Sequence, residues 1–126
     1  MACAPARCYG HRMEECLFCR IAAGAIPART VFTDDDVVAF EDIQPQAPVH
    51  LLLIPRRHVA NLNDLAAEDH RLMGRLLEVA RNLATERGLA DRGYRVVTNT
   101  GPDAGQSVYH LHLHLLGGRP LGWPPG

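Results

Sequence analysis

No apolar run in this 126-residue chain approaches the ~20 residues that a membrane-spanning helix needs, and the first residues lack the charged-then-apolar pattern of a secretory signal. Excess charge is also missing. With a formal net charge of −1, no bulk attraction to nucleic acid or to an acidic membrane is implied, so an anion must be held by a local site. Cysteine is absent from the body of the chain: the four cysteines sit at 3, 8, 16 and 19, where they cannot cross-link a fold. That argues against a disulfide scaffold and for a reducing, cytoplasmic setting. There is no internal repeat and no interdomain linker. What remains, 47% hydrophobic and 21% charged residues, is the composition of one globular domain with a real core.

Residues 1–12 show no amphipathic period and read as a loose N-terminal extension ahead of a single domain over 13–126. Cys3, Cys8 and His11 in that extension offer an accessory metal patch, with a plain tail as the simpler account. The spacing of Leu17, Phe18, Ile21 and Ala22 suits a short helix over 16–23. Strands are expected over 30–33 and 37–40, joined by a turn of three aspartates, and over 50–54, where a mostly apolar run ends at Pro55. Arg56, Arg57 and His58 then form a local basic patch. Apolar residues at spacings of three and four predict one long amphipathic helix over 65–87, stopped at Gly88. A further strand over 94–98 follows. Together these predict an α+β domain with an about five-stranded, mainly antiparallel sheet, one long helix and a short N-terminal helix.

The chemistry concentrates in residues 105–116, where histidine and leucine alternate with the period of a β-strand. Such a strand sends His110, His112 and His114 to one face and Leu111, Leu113 and Leu115 to the other. The outer imidazoles would then stand roughly 13 Å apart, too far for one ion with metal–nitrogen bonds of about 2 Å. The row suits an extended anion, with one ring attacking and a neighbour holding charge. A strand with an ordinary polar face would more often use Thr, Lys or Glu. The preceding loop, from Asn99 through Gly105 to Ser107, adds an amide, a hydroxyl and closely approachable backbone N–H groups, the parts of a phosphate cradle.

The run His110-Leu-His112-Leu-His114-Leu-Leu resembles the signature of the histidine-triad superfamily. Further stretches are similar to its nucleotide-binding (Hint) branch: Ile26-Pro-Ala, Phe40-Glu-Asp-Ile-Gln-Pro-Gln-Ala-Pro-Val-His50, Gly105-Gln-Ser-Val and the Trp123-Pro-Pro-Gly end. That resemblance implies a homodimeric purine nucleoside phosphoramidase hydrolysing adenosine 5′-phosphoramidates. His112 would be the nucleophile, and His114, Ser107 and the backbone around Gly105, Gln106 and Val108 would hold phosphoryl oxygens. Asn99 would add a polar contact and Asp42 would take the ribose hydroxyls. Phe18, Ile26, Phe40 and Ile43 would wall the base pocket, and Trp123 would reach toward the partner subunit's site. The Trp-ending tail separates the chain from relatives that hydrolyse dinucleoside polyphosphates. That activity and a non-catalytic purine-nucleotide-binding module are the alternatives.

Cys16-Leu-Phe-Cys19 resembles superfamily members that hold a structural zinc, which here would take Cys16, Cys19, His50 and His110. The competing reading has both cysteines packing as reduced thiols and His50 supporting the triad.

Overall fold

The computed structural model describes residues 15–126; the extension over 1–12, its Cys3–Cys8–His11 patch and Met13 lie outside the described residues. Five strands form one antiparallel sheet in the order β1-β2-β3-β5-β4. They are β1 (Thr30–Thr33), β2 (Val37–Glu41), β3 (Val49–Pro55), β4 (Tyr94–Val97) and β5 (Leu113–Gly117). Helix α1 (Leu17–Ala22) precedes the sheet and α2 (His70–Glu86) links β3 to β4.

β3 is apolar almost throughout because both of its faces are covered. Leu51 and Leu53 join Leu111, Leu113 and Leu115 against Leu76, Val79 and Leu83 of α2. Leu52 and Ile54 face the other way, onto Phe18, Phe40 and Cys16. The long helix therefore covers the middle of one side of the sheet, whereas α1 covers only part of the other. The part that α1 leaves open holds His112 and His114, whereas His110 is buried beneath the helix.

Two expected boundaries move. The amphipathic pattern predicts helix from residue 65, but Leu65 and Ala66 are extended, and two 3₁₀ turns (Leu62–Asp64 and Ala67–Asp69) come before α2. The stop is as expected, with Gly88 at φ +73° just past the helix. The histidine strand begins only at Leu113, so His110 and His112 precede it. The Leu111 N–H donates to the Val59 carbonyl at 2.6 Å, outside the strand ladder. The basic patch also disperses: Arg56 binds the Asp34 and Ala22 carbonyls and the Thr33 hydroxyl, and Arg57 pairs with Asp69 at 2.7 Å.

Of the three turn aspartates, Asp34 fastens the β1–β2 hairpin. Its Oδ1 accepts from the Asp36 and Val37 N–H groups at 2.8 and 2.7 Å, and its Oδ2 accepts from Arg75 of α2 at 2.7 Å. Burial alone would raise this carboxyl, but Arg75 and the two amides outweigh it and hold it below its ordinary value. A depressed acid stabilises the fold above its unfolded value of about 3.9 and loses that contribution as pH falls through the lower folded value. Asp34→Ala is expected to cost about 1–3 kcal/mol at neutral pH, with the gap from wild type closing below about pH 4. Thermal melts of both proteins across that range check this.

Candidate active site and metal-ligating cluster

The imidazoles of His50, His114 and His112 form one run of neighbours and those of His110 and His58 a second, with Phe18 between the two. Ring centroids lie 5.1 Å apart for His50–His114 and for His112–His114, and 5.0 Å apart for His58–His110. Phe18 of α1 braces the middle, meeting His112 edge-on at 5.1 Å and His110 at 6.0 Å. The row has two chemically different ends.

At the open end, hydrogen bonds fix the position of each ring proton. His112 Nδ1–H donates to the His110 carbonyl at 2.7 Å, so its Nε2 carries the lone pair. The Gln46 N–H donates to His50 Nδ1 at 3.0 Å, which places the His50 proton on Nε2, and Nε2–H donates to His114 Nδ1 at 2.9 Å. His114 is then left with Nε2–H as its outward group. Adjacent rings thus present opposite faces, a lone pair from His112 and a donor from His114. Burial pushes both imidazoles below their ordinary value. For His114 the neighbouring His112 and His50 add to this and take it down to about 4, so the rings are neutral at pH 7. The Thr98 hydroxyl holds the His112 carbonyl at 2.9 Å.

Both rings line a cleft of about 1020 Å³, together with Phe18, Ile26, Phe40, Asp42, Ile43, Ser107 and Val108. Phe40 is buried, whereas Ile43 is 94% exposed at the rim. Asp42 Oδ2 lies 3.4 Å from His50 Nε2, and its Oδ1 accepts from the Gln44 N–H at 2.8 Å. The loop before Ser107 turns on Gly101 and Gly105, at φ +86° and +81°, a region L side chains rarely adopt.

Some expected contacts are not brought together. The Gly105 and Gln106 N–H groups donate to the Pro102 and Gly101 carbonyls, and the Gln106 side chain is wholly taken up by protein. Among the described residues, only the Ser107 and Val108 amides of this stretch lack a protein acceptor. Asn99 is half-buried outside the cleft lining, and Trp123, 82% exposed, also lies outside it.

At the closed end stands the cysteine pair. Cys16 caps α1, accepting from the Cys19 N–H at 3.4 Å, so Cys-x-x-Cys places both sulfurs on one side of the first turn. His110 Nε2–H donates to the Pro55 carbonyl at 2.8 Å, which leaves Nδ1 with a lone pair 3.4 Å from each sulfur. His58 Nδ1 lies 3.2 Å from Cys19 Sγ. All four donor atoms fall within 4.8 Å of one another. A tetrahedral ion with Zn–S near 2.3 Å and Zn–N near 2.0 Å sets its nitrogens and sulfurs ~3.6 Å apart. Burial works against a Cys16 thiolate, but the imidazoles of His110 and His58 outweigh it and lower the thiol to about 5. Burial and the neighbouring Cys16 push Cys19 up to about 12. Two sulfurs and two imidazole nitrogens that converge on one point, with the carbonyl behind His110 fixing its tautomer, fit zinc.

The fourth donor corrects the expected set: it is His58, and His50 is no part of the cluster. Both His50 nitrogens are committed to Gln46 and His114. Asp42, His50 and His114 also come close together, but at 2.9 Å the two imidazoles share a proton and leave no space for an ion. His58 was hidden inside an apparent basic patch.

A family model described as "Scavenger mRNA decapping enzyme C-term binding" matches residues 15–120. An uncharacterized HIT-like protein of Synechococcus elongatus is 52% identical over 113 residues, 90% of this chain and 98% of that one. The purine nucleoside phosphoramidase of Escherichia coli is 49% identical over 109 residues, 86% of this chain and 92% of that one. The crystal structure of a HIT family hydrolase from Legionella pneumophila superposes with a TM-score of 0.87 at 54% identity, covering 88% of this chain and 99% of that one. With the fold, the histidine row and these similarities in agreement, the chain belongs to the HIT, or histidine-triad, family.

Proposed function

We propose that the protein is a purine nucleoside phosphoramidase that hydrolyses adenosine 5′-phosphoramidates to AMP and an amine. The observation that carries this reading is the His112 tautomer. Its buried ring is held by the His110 carbonyl with an unprotonated Nε2 beside a cleft of nucleotide size. In the proposed reaction that lone pair attacks the α-phosphorus. The P–N bond to the amine breaks, and the amine leaves with the bonding pair and a proton from solvent. Water then attacks the nucleotidyl-histidine, the His112–phosphorus bond breaks, and AMP departs.

His114 Nε2–H, the Ser107 hydroxyl and the Ser107 and Val108 amides are suited to the charge on the phosphoryl oxygens. Asp42 would accept the ribose hydroxyls, and Ile26, Phe40 and Ile43 would flank the base. The similarity to the Escherichia coli phosphoramidase supports the substrate class.

Zinc is the proposed ion for Cys16, Cys19, His58 and His110; it would neutralise the thiolates and tie α1 to the segment after β3. We further read the protein as a cytoplasmic homodimer. The free edge of β4, with exposed Tyr94, supports pairing with a second copy, and the unpaired Cys16 and Cys19 suit a reducing compartment. Among the described residues no helix is long and apolar enough to cross a membrane.

A panel of adenosine and guanosine phosphoramidates with varied amines, run beside dinucleoside polyphosphates, tests the reading. Turnover is expected on the phosphoramidates. Turnover confined to dinucleoside polyphosphates would replace it with the other hydrolase, and nucleotide binding without turnover would replace it with a binding module.

A further inference from the structure

Two buried amide side chains outside the histidine row hydrogen-bond to each other and to backbone. Asn61 is 0% and Gln106 7% exposed. Gln106 Oε1 accepts from the Asn61 Nδ2–H at 3.1 Å and from the Gly101 N–H at 2.9 Å. Gln106 Nε2 donates to the Ala60 carbonyl at 2.7 Å and to the Val108 carbonyl at 3.2 Å. With donors at one end and carbonyls at the other, the amide has a single workable orientation. Asn61 Oδ1 accepts from the Asn63 N–H at 3.0 Å.

These bonds grip the loop on both sides of Ser107, at Gly101 and at Val108. They anchor it to residues 58–61, and that short segment has two other attachments. The Val59 carbonyl receives the Leu111 N–H at 2.6 Å, between His110 and His112, and His58 meets Cys19 at 3.2 Å. The loop is thus registered against the same four residues that hold the proposed nucleophile's backbone. The opposite wall of the cleft, with Phe40 and Asp42, belongs to β2 and its exit and has no part in this grip.

We infer that Asn61 and Gln106 are positioning residues that set the Ser107 hydroxyl and the Ser107 and Val108 amides against the phosphoryl group of the nucleotide. This rests on the nucleotide reading of the cleft given above. The pair acts on the phosphate and not on the nucleoside, so losing it weakens AMP and spares adenosine. A general loosening of the fold would weaken both.

Gln106→Glu is the informative variant. An ionised carboxylate faces the Ala60 and Val108 carbonyls, acceptor against acceptor, whereas the protonated acid regains one donor. Calorimetric titration at about pH 8 is expected to show AMP affinity down at least about tenfold from wild type, with adenosine within about twofold. Compared with wild type at the same pH, the AMP deficit is expected to shrink several-fold at about pH 5.5, where a buried carboxyl is protonated. Equal losses for both ligands, or none for AMP, would overturn the inference.

Asn61→Ala removes the donor to Gln106 Oε1 and the acceptor of the Asn63 N–H, leaves the other three Gln106 bonds, and is expected to show the same asymmetry at smaller size. Should neither variant fold, amide hydrogen exchange of the wild type decides: a protected Gly101 N–H supports the clamp, and free exchange there overturns it. Wild type that binds neither ligand would remove the nucleotide reading itself, and the exchange result would still judge the clamp.

Discussion

His112→Ala is expected to abolish turnover, with kcat down at least about 10⁴-fold, while AMP binds within about tenfold of wild type. The size follows from the proposed chemistry. Among the described residues, one nitrogen in the cleft, His112 Nε2, combines a lone pair, burial and a fixed tautomer, so deleting its ring would remove the proposed covalent step. The other proposed contacts, to phosphate through Ser107 and His114 and to the nucleoside through Asp42 and Phe40, would stay in place. Acid-free quenching during turnover should trap nucleotide on wild-type protein and none on the variant. A variant that keeps wild-type activity would end the nucleotidyl-histidine mechanism, whatever nucleotide the cleft binds.

The second large effect concerns the metal. Protein purified without chelator is expected to carry about one zinc per chain, and His58→Ala or Cys19→Ser should lose it with melting lowered by roughly 10 °C or more. His50→Ala should keep its zinc. It should instead slow turnover, because the Nε2–H that His50 donates to His114 is what leaves a donor at the cleft face of His114. The asymmetry between two histidines on the same strand and its exit separates a Cys₂His₂ ion from a mere cluster of thiols. Zinc-free protein whose melting is unchanged by EDTA would dispose of the ion.

Much of this was legible along the chain because it depends on near neighbours. Asp34 can reach the amides of Asp36 and Val37 whatever the rest of the fold does. The alternation of Leu111, Leu113 and Leu115 places them in one core even though the strand proper begins at Leu113. The start of α2 was less legible. Leu65 continues the apolar period but sits in an extended turn, where the Asp69 carboxylate takes the Ala66 N–H at 2.8 Å. Gln106 sits beside Ser107 in a loop rich in phosphate-binding groups, and only its burial and four partners separate a clamp from a ligand contact.

Sequence by itself determined the class of fold and the core-facing side of the histidine run, Leu111, Leu113 and Leu115. Which histidine meets which was decided by the tertiary structure, through the register of β3 against β5. There Leu52 stands across from His114 and His50 lies two residues away on the same face. Past the end of that ladder the register is not kept: the Leu111 N–H bonds the Val59 carbonyl, and this brings His58 against His110, ring centroids 5.0 Å apart. Sequence could not reveal the offset, because β3 is apolar on both faces and has no polar alternation to show a one- or two-residue slip. His50 was placed by the pairing of the two strands and His58 by the Val59–Leu111 contact beyond it.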